Sequence, residues 1–76
     1  MNYQQAKEAF NEFKEIKCLG VVYKNIQAII FRRANGLEVV QLELLDKSGN
    51  SVTVARMKDC EVVDGGLLQN TETERL

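Results

Sequence analysis

A chain of 76 residues, 45% hydrophobic and 28% charged, is too apolar to remain disordered and long enough for one small domain. Its formal net charge of −1 provides no long-range positive field to draw the whole molecule to nucleic acid or to an anionic membrane. With no histidine, and with Cys18 and Cys60 too distant for a Cys-x-x-Cys motif, a zinc site lacks ligands; no metal or other cofactor is expected.

A domain this short buries only about 60–65% of its unfolded surface. Its stability should be on the order of 3–5 kcal/mol, and self-association is one way to add buried area. The opening residues MNYQQAKEAF have neither a basic n-region nor an apolar h-region. No apolar run approaches the roughly 18 residues of a membrane span, so the expected setting is cytoplasmic, with no membrane partner.

Asn2 with Gln5 fits a capping box, and Tyr3, Ala6, Phe10 and Phe13 recur at three- and four-residue steps, with Ala9 and Ile16 beside them. A helix over 3–16 follows, with its phenylalanines docked on the strands, since a lone helix of this length is marginal in water. Five strands are expected, at about 20–24, 26–33, 37–45, 51–57 and 60–63. The domain spans 1–66, and 67–76 reads as a flexible tail.

Asn35-Gly36 tolerates the two positive φ angles of a type I′ turn. That turn pairs Ala34 with Leu37, Arg33 with Glu38, Phe31 with Val40, Ile29 with Leu42 and Gln27 with Leu44. A three-residue loop at Lys47-Ser48-Gly49, with Gly49 left-handed, sets Leu44 against Val52, Leu42 against Val54 and Val40 against Arg56. Both turns then give one apolar face of Ile29, Phe31, Val40, Leu42, Leu44, Val52 and Val54. A one-residue slip in either turn would break it.

The segment LELLDKSGNSVTVARMKDCEVV, with its acidic Gly-containing turn, Val-Thr-Val strand, one-turn break and closing strand, resembles the second half of SH3-like small barrels, above all the Tudor-like group. The helix-first layout also resembles Sm-like domains. The resemblance implies a mainly β small barrel of about five strands behind an N-terminal helix. Tudor-like cages need free aromatic residues, which the helix and core claim here, and the Sm-like RNA-binding loop has no match, so no binding residue is carried over. The alternative is an α+β layout, a three-stranded antiparallel meander with one packed helix.

Catalysis has little to work with. Ser48 and Ser51 sit in or beside a turn, and neither cysteine has an evident base partner, so no enzyme activity and no catalytic residue are expected. The cysteines read first as small apolar filler, although the terminal strands of such a barrel are neighbours. A basic group formed by Arg32, Arg33, Arg56 and Lys58 can hold phosphates or an acidic peptide, or serve only as the charged rim of a small sheet. Ile30, Val39 and Leu45 fall on the face away from the core and offer an apolar partner surface. The expected function is a binding module for protein interaction or homodimerisation; the alternative is a nucleic-acid-binding accessory domain using the arginine group.

Overall fold

The computed structural model describes residues 1–63; the expected tail at 67–76 and the domain end at 66 lie outside the described residues. Helix α1 (Tyr3–Glu12) is followed by strands β1 (Ile16–Cys18), β2 (Val21–Tyr23), β3 (Asn25–Ala34), β4 (Leu37–Leu45) and β5 (Val52–Arg56). A 3₁₀ turn (Met57–Asp59) then leads into β6 (Cys60–Val62).

The capping box closes the start of α1: Asn2 Oδ1 accepts from the Gln5 N–H at 2.8 Å, and Gln5 Oε1 accepts from the Asn2 N–H at 2.9 Å. The helix ends at Glu12, short of the expected 16. Phe13 takes a left-handed φ of 55°, and the Lys14 N–H bonds back to the Ala9 carbonyl at 3.0 Å, which closes the last turn. Ile16 is thereby released to β1, where it pairs with Tyr23 and Val62. The helix docks through Ala6 and Ala9, both buried, rather than through the expected phenylalanines. Phe10 is 39% exposed and Phe13 75% exposed. Two alanines at the centre of the stripe let the backbone approach the sheet closely, and the large side chains are left at its margins.

The six strands described form two three-stranded antiparallel sheets, in the orders β2-β1-β6 and β3-β4-β5. They do not close into the expected five-stranded barrel. The arrangement stands nearer the α+β alternative, a meander with a packed helix, with a second small sheet added. Strands of three residues, about 10 Å long, are too short to ladder along the ten residues of β3. They cover one end of the core instead.

The first hairpin keeps the expected register from Ala34↔Leu37 to Ile29↔Leu42, around Asn35 and Gly36 at φ 54° and 78°. Below it a bulge between Ile26 and Ala28 replaces the expected Gln27–Leu44 pair with Ile26↔Leu44. Ile26 turns into the core and Gln27 is exposed. The Gln27 side-chain amide donates to the Oδ1 of buried Asn25 at 2.7 Å.

The second hairpin departs from the expected register by one residue. The Asp46 N–H bonds to the Ser51 carbonyl, so four residues fill the loop instead of three. Leu45 then meets Val52, Leu44 meets Thr53, Glu43 meets Val54, Leu42 meets Ala55 and Gln41 meets Arg56. Because side chains alternate along a strand, this slip carries Val52 and Val54 to the opposite face. They are 48% and 49% exposed.

One buried cluster joins Ala6 and Ala9 of the helix, Ile16, Cys18 and Cys60 of the small sheet, and Ile26, Leu42 and Leu44 of the large one. Phe31 and Val40 lie further out on this inner face. Phe31 remains 55% exposed, although its ring packs against Tyr3 with centroids 5.5 Å apart and planes tilted by 60°.

Candidate interaction surface

Residues directly opposite one another across the strands share a face. The row Ile29–Leu42–Ala55 points into the core. The neighbouring rows Ala28–Glu43–Val54 and Ile30–Gln41–Arg56, together with Arg32↔Val39 and Leu45↔Val52, point outward. Ile30, Val39 and Leu45 therefore stand together on the outer face, as the alternation in the sequence suggests, and each is half-buried. Val52 and Val54 join them. The four-residue loop that brings those valines outward carries a sequence signal: Asp46 and Gly49 occupy the first and fourth positions of a type I turn. The Gly49 N–H bonds to the Asp46 carbonyl at 2.8 Å.

The Asp46 carboxylate also accepts from the Ser48 hydroxyl at 2.6 Å and from the Ser48 N–H at 2.9 Å. These bonds favour its charged form and hold its pKa below the ordinary 3.8. The turn thus fixes the loop length, and the loop length decides which side chains of β5 face outward.

The four cations of the expected basic group do not share one face. Arg32 and Arg56 lie on the outer face on either side of Gln41; the Arg32 Nε donates to Gln41 Oε1 at 2.8 Å. Arg33 sits opposite Glu38 on the inner side, with Phe31 and Val40. The expected proximity of Arg33 and Arg56, which relied on an Arg56–Val40 pair, is removed by the one-residue register difference. Lys58 lies on the 3₁₀ turn. The ion pairs of the described residues, Lys14–Glu12 and Lys47–Glu15, lie elsewhere.

Beside this face is an open hollow of about 520 Å³, whose lining includes Leu37, Glu38, Val39, Arg56, Met57 and Lys58. It forms because β5 pairs only with Gln41 to Leu45. The stretch Leu37 to Val40 of β4 therefore has no strand on its second side among the described residues. Such an edge can accept an extended segment, with backbone hydrogen bonds supplying affinity and the lining side chains selectivity.

Among the described residues no group of three or more metal-ligating side chains occurs, and no helix is long and apolar enough to cross a membrane. No protein-family model, no curated protein and no solved structure matches the chain.

Proposed function

We propose that this chain is a non-enzymatic cytoplasmic interaction module that associates through the outer face of β3-β4-β5, in its simplest form with a second copy of itself. One observation carries the reading. The inner face of the large sheet is covered by α1 and the small sheet around Ile26, Ile29, Leu42 and Leu44, whereas the outer face, bearing Ile30, Val39, Leu45, Val52 and Val54, has no second layer among the described residues. Two such faces can stack about 10 Å apart as in a β-sandwich. The face also bears Glu43 together with Arg32 and Arg56, so a two-fold axis can set the acid of one copy against the cations of the other. The same reading treats the two sheets, joined through Lys24 and through the 3₁₀ turn, as an opened form of the SH3-like small-barrel plan.

Sedimentation equilibrium over a wide concentration range tests the proposal. The parent chain should show reversible dimerisation that is lost in the Val52→Lys/Val54→Lys double variant. A parent that stays monomeric at the highest concentration removes self-association and leaves a different protein as the partner. The second reading, a nucleic-acid accessory domain, draws on Arg32 and Arg56 sharing the outer face. It requires binding to DNA or RNA that weakens steeply with salt and is lost on Arg32→Glu/Arg56→Glu substitution.

A further inference from the structure

The two cysteines are the reactive groups that the proposed interaction leaves unused. Cys18 and Cys60 are direct partners in the β1–β6 ladder, and both are buried, at 5% and 3% exposure. Directly opposed residues in an antiparallel pair have Cα atoms about 4.5–5.5 Å apart, which falls inside the roughly 4.4–6.8 Å range that a disulfide spans. As opposed residues they also point to the same side of the sheet. The chain contains only these two cysteines, and the pair is free in the reduced state. We propose that Cys18 and Cys60 form a reversible intramolecular disulfide that clasps β6 to β1 in response to a low-molecular-weight disulfide.

The exchange balances in two steps. One cysteine thiolate attacks the small disulfide, forming a mixed disulfide and releasing one small thiol. The second cysteine thiolate then attacks the protein-bound sulfur, closing the Cys18–Cys60 bond and releasing the second small thiol. The two protein thiols lose two electrons and two protons, and the two released small thiols gain them, the protons passing by way of solvent. Burial, with the Cys18 thiol beside it, pushes the Cys60 thiol up to about 12, and its Sγ is held to the Arg56 carbonyl at 3.3 Å. The closed protein should therefore react slowly, and exchange should pass through local opening of β6. That strand is three residues long; the flanking ties are the Met1 ammonium to the Cys60 carbonyl at 2.9 Å and the Val63 N–H to the Glu15 carbonyl at 3.0 Å. Once formed, the bond joins positions far apart in the chain, and constraining the unfolded state should raise the melting temperature by at least about 10 °C.

The test equilibrates the full chain with glutathione and glutathione disulfide over a series of ratios, followed by alkylation, intact-mass spectrometry and thermal melting. The expected product is a monomer lighter by two hydrogens, with both thiols lost together and the melting temperature raised. Cys18→Ala and Cys60→Ala should each yield only the free thiol or a single glutathione adduct, without the thermal gain. Should an alanine variant fail to fold, the masses of the parent still decide. Stable glutathione adducts on the parent, interchain dimers, persistent free thiols at the most oxidising ratio, or an oxidised form melting no higher than the reduced one would each overturn the clasp.

Discussion

Substituting lysine separately at Val54 and at Ala55 tests the register of the second hairpin, on which the outer face depends. Val54 is 49% exposed and stands opposite Glu43. Full burial of a valine is worth about 1.5–3 kcal/mol, so removing a half-buried one costs about 1 kcal/mol. A lysine facing Glu43 recovers about 0.2–1 kcal/mol as an opposite-charge cross-strand pair. The net change for Val54→Lys is then within about 1 kcal/mol. Ala55 instead faces Leu42, which is fully buried, in the row with Ile29. A cation there meets apolar side chains with no acid opposite, at a cost of about 3 kcal/mol or more. Against a total stability on the order of 3–5 kcal/mol, Ala55→Lys should lose most of its folded baseline. Urea unfolding by circular dichroism reads both variants. At a slope of about 1 kcal/mol per molar, Val54→Lys should move the midpoint by no more than roughly 1 M. Protein concentrations tenfold apart separate any contribution from self-association, which makes the midpoint concentration-dependent. If Val54→Lys unfolds the protein and Ala55→Lys leaves it intact, Val54 faces the core and the outer-face reasoning fails.

Leu42→Ala should cost about 2.7–5 kcal/mol, because a fully buried side chain on the central strand leaves a cavity between neighbours held by the backbone ladder; calorimetry should find no folding transition, or one far below that of the parent. Leu19 holds a left-handed φ of 49° while 81% exposed, so Leu19→Asn should gain about 0.5–1 kcal/mol; a lower melting temperature would show that the leucine makes a stabilising contact. Asp46 has a depressed folded pKa, so its contribution is present above its unfolded value near 3.8 and is lost as pH falls through the lower folded value. Asp46→Ala should remove that part of the acid-side loss of stability, and acid titrations of parent and variant with superimposable slopes would contradict it.

Several features were legible because local chemistry decided them. The Asn2–Gln5 cap and the Asn35-Gly36 turn require backbone conformations and hydrogen bonds that few other residues supply, and the structure contains both. The alternation of β4 likewise gives Leu42 and Leu44 to the core. Reading Asp46-Lys47-Ser48-Gly49 as a type I turn would have favoured the four-residue loop and pointed to the Glu43–Val54 pairing. Strand β1 was hidden because Ile16 continues the helical spacing of Phe13, and because Leu19-Gly20 is an unusual pair for two positive φ angles. Phe10 and Phe13 looked like helix anchors, since periodicity marks the side of a helix that docks but not which residue on that side lies closest to the sheet.

By itself the sequence determined the helix start, the first hairpin with its register as far as Ile29–Leu42, the succession of strands from residue 20 to 63 and the central core leucines, because each follows from a turn conformation or a side-chain period within a few residues. Only the tertiary structure decided that the strands divide into two open sheets and that Cys18 meets Cys60. These outcomes depend on pairings between segments distant in the chain, and no local preference records them.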